Sequence, residues 1–211
     1  VFDAPELFKA YPQLRNIPTS VVVDPSRESD GSFTGKRIFV RGRSVEEVRS
    51  SIIHEVQHAV QDIEGFGRGS SLMPFYKTDI DVRHWLEAFV EGGVTTEEFL
   101  SNPEVEEIMR ATEVYDNVKS LVEGKTREDI VKHLKEDDDQ AFRQYIRVAG
   151  EVEARNASKR ASMSKIDLAV KNFAATEEVS EESKIYIEKV LEDNYPEVKE
   201  QRSEALNQKV D

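Results

Sequence analysis

Residues 44–65 have the sequence SVEEVRSSIIHEVQHAVQDIEG, which predicts one long amphipathic helix. Ser44 followed three residues later by Glu47 forms a capping box, a pattern typical of the start of a helix. Gly65 should end the helix, because glycine readily adopts the left-handed conformation that terminates helices. Between these ends, apolar residues recur at helical spacing and predict a buried stripe made of Val45, Val48, Ile52, Val56, Ala59 and Ile63.

The same helix carries the pattern HExxH, formed by His54, Glu55 and His58. Histidines at this spacing lie on one helical face, so both imidazoles can bind the same metal ion. The glutamate can reach a water on that metal and act as its general base. Because the chain has 4 histidines in 211 residues, the pattern is a moderately specific indication of a zinc hydrolase site. The simpler interpretation is a pair of ordinary helix histidines. Gln57 and Gln61 are expected to be exposed polar positions.

The amino-acid composition disfavours some classes of binding partner and excludes some classes of metal site. Acidic residues outnumber basic ones, 42 against 29, and the net charge of −13 disfavours nonspecific binding to nucleic acid. The chain has no cysteine, which excludes disulfides and thiolate metal sites and leaves histidines and carboxylates as metal ligands. Apolar runs such as Val21–Val23 are too short to cross a bilayer, and no signal-peptide pattern is visible. We therefore expect a protein or peptide substrate as the partner, with no nucleic acid and no membrane.

Two short strands are predicted before the HExxH helix. Val21–Val23 is typical of a buried strand, and the stretch 36–41, KRIFVR, of a second strand. Gly31 and Gly35 should lie in turns between the two strands. The part Ile38–Val40 could form a sheet edge that pairs with an extended substrate, although an ordinary interior strand is the simpler interpretation.

The rest of the chain is predicted to be helical. A short helix should surround residues 6–11, and several helices should cover 80–135, with start patterns at Thr96, Asn102 and Thr126. One longer helix should run from Gln140 to about Met163. The acidic remainder, residues 167–211, should form two helices broken near Asn194-Tyr195-Pro196.

These elements predict an α+β fold that is mostly helical, with a small N-terminal β-sheet. We predict one domain over residues 1–163, with a helical insert at about 85–135 between the two halves of the site. An acidic helical C-terminal extension should follow over residues 164–211.

A catalytic zinc site needs a third protein ligand besides the two histidines. Of the two remaining histidines, His84 follows the glycine loop and His133 lies in a charged helix that is expected to face solvent. The segment GEVEARNA at 150–157 is the best candidate, because small residues beside an acid let one helix pack closely on another while the acid reaches across. Glu151 and Glu153 point to roughly opposite sides of a helix, so both cannot bind one metal. The apolar stripe made of Phe142, Tyr145, Ile146, Ala149 and Val152 puts Glu153 near its edge, and periodicity therefore favours Glu153.

HExxH followed far downstream by a helix with the pattern E-x-x-A resembles the gluzincins, a group of zinc metallopeptidases, and the ImmA-type peptidases. In those families the first glutamate of the second pattern binds zinc. The resemblance therefore implies Glu151 as the ligand, with Ala154 as the matching small residue. Arg155 departs from the pattern, because an acid or amide there usually supports a ligand histidine. This departure leaves that support unassigned and keeps Glu153 as the alternative.

A narrower resemblance covers about residues 5–160, with the region of about 85–135 unmatched. It is similar to the peptidase-like domain found inside very large multidomain phage and mobile-element proteins. The resemblance implies that the chain is part of a larger multidomain polypeptide, cytoplasmic or virion-associated. It rests on the blocks PELF at 5–8, AYPQL at 10–14, IP at 17–18, HEVQHAVQ at 54–61, EGF at 64–66 and GEVEARN at 150–156.

The patterns and the resemblances together predict a zincin-like metallopeptidase with an active-site helix and a second, glutamate-bearing helix. One Zn²⁺ per chain would be held by His54, His58 and Glu151, or by Glu153 as the third ligand, with Glu55 as the catalytic base. The main alternative is a catalytically silent zincin scaffold that serves as a structural or interaction module. A protease with one narrow target and a metal-dependent hydrolase of other substrates are further rivals.

Two further features of the sequence are weaker indications of function. Tyr76, His84 and Tyr145 could donate to an oxyanion, but packing roles explain them equally well. The acidic run at 136–139, EDDD, lacks the spacing and the turn glycine of a calcium loop, and we expect it to be a solvated helix start.

Overall fold

The structure is a computed structural model that describes residues 3–65 and 69–194. It is mostly helical with one small sheet, which confirms the predicted α+β class. In chain order the elements are α1 Pro5–Ala10, β1 Thr19–Val23, β2 Asp30–Phe33, β3 Ile38–Gly42, α2 Val45–Glu64, α3 Ile80–Gly92, α4 Thr96–Leu100, α5 Pro103–Ala111, α6 Tyr115–Val122, α7 Arg127–Tyr145, α8 Ala149–Ala161, α9 Lys165–Val170 and α10 Ile187–Asn194. Short 3₁₀ turns lie at Pro12–Asn16, Met73–Phe75, Ala174–Thr176 and Glu181–Ser183.

The chain divides into two compact units. The first unit combines Val1–Ser70 with Ile146–Asp211, and the second is the intervening segment Ser71–Tyr145. The helical insert predicted at about 85–135 lies within the second unit, whose five helices begin with α3 and end with α7. The described part of the predicted C-terminal extension, residues 164–194, belongs to the first unit. The predicted helix break near Asn194-Tyr195-Pro196 falls largely outside the described residues.

The sheet has three strands in the order β1-β3-β2. The central strand β3 pairs in parallel with β1 and antiparallel with β2. Strand β2 was not predicted. Gly31 was expected to lie in a turn, but it lies within this strand, and Gly35, at φ +78°, takes the turn conformation. Because Ile38–Val40 is paired on both sides, the prediction that it forms a substrate-binding edge is wrong.

The predicted strand at Val21–Val23 exists, but its predicted burial is wrong. Val21, Val22 and Val23 are 44%, 41% and 51% exposed. Strand β1 is an outer strand of the sheet, whereas the apolar face of α2 packs on the central strand. There Ile38 and Val40 of β3 form one core cluster with Val48 and Ile52 of α2.

Helix α2 begins and ends where the sequence predicts. The Ser44 hydroxyl accepts a hydrogen bond from the Glu47 amide at 3.1 Å, and Gly65 ends the helix in the left-handed conformation with φ 76°. The ends of the predicted apolar stripe are wrong, because Val45 is 66% and Ile63 36% exposed. A helix of 20 residues extends about 30 Å, and a strand of 5 residues about 17 Å, so the sheet cannot cover both helix ends.

The start of α2 supplies a pH-dependent prediction. The hydroxyl of Ser29 and the guanidinium of Arg43 lower the pKa of the Glu47 carboxyl to about 2. A depressed pKa means that the ionised carboxylate stabilises the fold above pH 4.5, its ordinary value, and that this stabilisation is lost as the pH falls through about 2. We expect Glu47→Gln to lower the melting temperature at neutral pH, and the difference from wild type to close in acid. Thermal melts over a range of pH measure the difference between wild type and Glu47→Gln, with Glu46→Gln, an exposed neighbour, as the control. A difference between wild type and Glu47→Gln that stays constant as the pH falls would contradict the prediction.

The predicted single helix from Gln140 to about Met163 is wrong. Helix α7 ends at Tyr145 and α8 begins at Ala149, and the two helices belong to different units. The break has a backbone cause in the first unit. The amide of Ile185 donates to the carbonyl of Arg147, and the amide of Ala149 donates to the carbonyl of Ile185, both at 2.8 Å. These bonds take backbone groups that a continuous helix would pair internally.

The second unit is a helical cluster around its own apolar core. Its helix starts follow the predicted patterns, with Thr95, Asn102 and Thr126 as capping residues. The first of these is one residue earlier than predicted, and Thr95 forms a complete capping box with Glu98. The fully buried core side chains include Leu86, Phe89, Met109, Val118, Val122 and Ile130.

Two predictions about α7 are wrong. Asp137, within the acidic run expected to be solvated, is buried and accepts hydrogen bonds from the amides of Lys77 at 2.9 Å and Thr78 at 3.3 Å. His133, expected to face solvent, is half-buried, and its Nε2 lies 3.1 Å from the hydroxyl of Thr78. Both side chains hold the segment before α3 against α7.

Across the described ranges, no helix is long and apolar enough to cross a membrane.

Candidate metal centre

Helices α2 and α8 bring together three side chains of the predicted site. The Nε2 atoms of His54 and His58 lie 3.1 Å apart. Each lies 3.4 Å from a different carboxylate oxygen of Glu151. One ligand atom from each residue falls within 4.8 Å of the others, and all three residues belong to the first unit. The two histidines share one face of α2 because of helical periodicity, and the glutamate reaches them because α8 packs on α2.

The two candidate glutamates have different partners. Glu151 lies in the first turn of α8, and its carboxylate also accepts a hydrogen bond from the amide of Ser70 at 3.0 Å. Glu153 is half-buried, and its carboxylate accepts a hydrogen bond from the side-chain amide of Gln61 at 2.7 Å. The structure therefore places Glu151 at the imidazoles. Periodicity favoured Glu153 because the apolar stripe used to orient the helix crossed the break between α7 and α8.

The donor set fits a divalent cation. Glu151 is only 2% exposed, and a carboxylate so deeply buried needs strong donors or a cation to offset its lost hydration. Burial lowers the pKa of His58, but the hydrogen bond and the charge of Glu151 outweigh it and the pKa is raised. Two imidazoles and one carboxylate are the protein ligands of a common class of catalytic zinc site.

Gly69 and Ser70 lie very close to these ligands. A Cβ atom on Gly69 would lie 2.5 Å from Cε1 of His58 and 2.7 Å from a carboxylate oxygen of Glu151. Real Cβ atoms do not approach other atoms so closely, so a side chain at this position would displace the ligands. Gly69 therefore lets the backbone reach Glu151, where the amide of Ser70 binds it.

Glu55 is held against the sheet. Its side chain is 6% exposed, and a Cβ atom on Gly31 of β2 would lie 2.6 Å from its Oε1 atom. Burial raises the pKa of Glu55, while the charges of His54 and His58 act in the opposite direction. A buried carboxyl whose pKa is raised is better matched to proton transfer near neutral pH than a solvated one. Glycine in β2 thus makes room for the carboxylate of the predicted base.

Gln61 is a site residue that sequence reasoning missed. It was expected to be exposed, but its exposed fraction is 1%. Its Oε1 atom lies 2.9 Å from Nδ1 of His58, and its Nε2 atom donates to the carbonyl of Gly150 at 3.0 Å. Its spacing from His54 and His58 places it on their helical face, and that spacing was the available indication. Gln57, also expected to be exposed, is half-buried.

Arg155 does not stand in for the acid or amide of the resembled pattern. Its guanidinium donates to the carbonyl of Ile146 and lies 3.5 Å from the carboxylate of Glu178. These contacts tie the middle of α8 to neighbouring segments of the first unit. Tyr76, His84 and Tyr145, the weaker candidates for oxyanion donors, all belong to the second unit.

A comparison of the chain with protein-family models, curated proteins and solved structures finds no match.

Proposed function

We propose that the first unit is a zincin-like zinc metallopeptidase that holds one Zn²⁺ with His54, His58 and Glu151. The observation that carries the proposal is the convergence of these three side chains within 4.8 Å, with Glu55 buried on the same helix. The absence of cysteine from the sequence and the resemblance to gluzincins support the same conclusion. The expected partner is a protein or peptide, and we place the chain within a larger phage or mobile-element polypeptide, cytoplasmic or virion-associated.

The residues of the chain have separate roles in this proposal. A bound Zn²⁺ supplies Lewis acidity, which polarises a carbonyl and lowers the pKa of water. Glu55 accepts a proton on its carboxylate as water attacks the scissile carbonyl carbon. The protonated Glu55 then donates that proton to the amine as the carbon–nitrogen bond breaks. Glu55 returns to its ionised form, and the new carboxyl group gives its remaining proton to the amine, so the products are a carboxylate and an ammonium group. Gly31 and the sheet bury the carboxylate of Glu55.

The proposal is tested by metal content and by chelator-sensitive proteolysis. We expect one Zn²⁺ per folded chain, cleavage of some members of a peptide pool, loss of cleavage with a chelator and recovery with added Zn²⁺. The imidazole and carboxylate ligands should be necessary, so Glu151→Gln should lose stoichiometric zinc. Glu46→Gln, at an exposed position of α2, is the matched control and should retain it.

Two results would contradict this function in different ways. A folded protein that binds no Zn²⁺ from an excess would remove the metal centre altogether. A protein that binds one Zn²⁺ but cuts nothing in a broad pool, with or without chelator, would favour the catalytically silent scaffold.

A further inference from the structure

We propose that Gln61, oriented by Glu153 and Gly150, fixes neutral His58 in the tautomer that carries its proton on Nδ1. Nε2 then keeps its lone pair for a metal ion. This inference rests on the proposed function for its role in metal binding. The tautomer itself is a property of the metal-free protein, so it can be measured separately. Gln61 is in this sense a positioning residue, which acts through His58.

The orientation of the Gln61 amide follows from its two neighbours on α8. Its Nε2 atom lies 3.0 Å from the carbonyl oxygen of Gly150 and 2.7 Å from a carboxylate oxygen of Glu153. Both oxygens are acceptors, and the amide nitrogen offers two N–H donors, one for each. The opposite orientation would bring the Gln61 oxygen against two other oxygens. The amide nitrogen must therefore face α8.

This orientation leaves the Gln61 oxygen facing His58. The Oε1 atom lies 2.9 Å from Nδ1 of the imidazole, and an amide oxygen can only accept a hydrogen bond. A neutral imidazole carries one proton, and here that proton belongs on Nδ1. The unprotonated Nε2 lies 3.1 Å from Nε2 of His54 and 3.4 Å from Glu151, among the other proposed ligand atoms.

Burial makes the arrangement rigid. Gln61 is 1% exposed, and a buried amide that lost these partners would leave donors and acceptors unsatisfied. Gly150 directly precedes Glu151, so the same amide that orients His58 on α2 also binds the backbone next to the acidic ligand on α8. One side chain thus positions ligands from both helices. The carboxylate of Glu151 competes with Gln61, because it could draw the proton to Nε2 instead.

The decisive measurement is nitrogen-15 NMR of the imidazoles in metal-free protein, at a pH above the imidazole pKa. Two-bond proton–nitrogen correlations distinguish the two tautomers, and loss of signals in His58→Gln assigns the resonances. We expect wild-type His58 to be protonated on Nδ1. A proton on Nε2 in the wild type would overturn the proposal, whether or not the protein binds zinc or cuts peptides.

Variants of Gln61 separate hydrogen bonding from packing. Gln61→Met has similar length without an acceptor and should shift His58 towards the Nε2-protonated form. It should also weaken Zn²⁺ binding about 10- to 100-fold in a chelator competition. Gln57→Met, a half-buried glutamine on the same helix, should retain the wild-type tautomer and affinity. An unchanged tautomer and affinity in Gln61→Met would overturn the positioning role.

Discussion

Replacing Glu55 with glutamine should strongly reduce peptide hydrolysis and leave zinc bound. The amide has the same shape and can remain buried beside the sheet, but it cannot accept a proton from water. General acid–base catalysis contributes about 10²- to 10⁴-fold, so we expect kcat for a peptide that wild type cuts to fall by that factor. The measurement is kcat and zinc content on the same preparation. Glu46→Gln, an exposed glutamate on the same helix, is the matched control. Full activity in Glu55→Gln would disprove the mechanism.

Gly31→Ala leaves Glu55 in the sequence but should move its carboxylate, and it should therefore also lower kcat. In Gly31→Ala the new methyl group would lie 2.6 Å from the Glu55 Oε1 atom. The carboxylate is the end of a flexible side chain, so it can shift and the strand can still form. We expect reduced kcat with zinc retained and nearly wild-type thermal stability. Ser32→Ala, an exposed position on the same strand, should leave all three unchanged.

The second large effect is on stability. Asp137→Ala should destabilise the second unit by about 3 kcal/mol, a typical cost for breaking a buried ion pair. Asp137 is 5% exposed, and its carboxylate lies 3.5 Å from the buried guanidinium of Arg83. The Asp137 carboxylate also accepts hydrogen bonds from the amides of Lys77 and Thr78, and in the variant these amides would lose their acceptor. Arg83 keeps contacts with Glu87 at 3.0 Å and Asp138 at 2.7 Å, which places the cost at the lower end of the usual range.

The only tryptophan of the chain makes this prediction measurable. Trp85 lies on α3 and packs on the core of the second unit, so its fluorescence reports on unfolding of that unit. Urea titrations should show a lower midpoint for Asp137→Ala. Asp139→Ala, an exposed acid two residues along the same helix, should match wild type. A loss of less than about 1 kcal/mol would mean that Asp137 behaves as a surface charge.

Sequence alone was sufficient for the helix that carries the proposed site. The bounds of α2 depend on contacts between near neighbours, namely the Ser44 cap and the left-handed Gly65. The common face of His54 and His58 follows from helical periodicity alone. The glutamate-bearing helix was also expected, but its start was not, because the bonds of Arg147 and Ala149 to Ile185 decide where α8 begins.

Tertiary structure decided the remaining features of the site. The packing of α8 on α2 determines which of Glu151 and Glu153 reaches the histidines, and periodicity carried across the break between α7 and α8 favoured Glu153 instead. Gln61 is buried because α8 covers it, and its bond to Gly150 joins residues 89 positions apart. The space for Glu55 depends on Gly31 in a strand that was not predicted. Local patterns determine where a helix lies and which side chains share its face, because those contacts span one turn. Which groups from distant segments meet that face depends on packing, and a single sequence carries no periodic pattern for it.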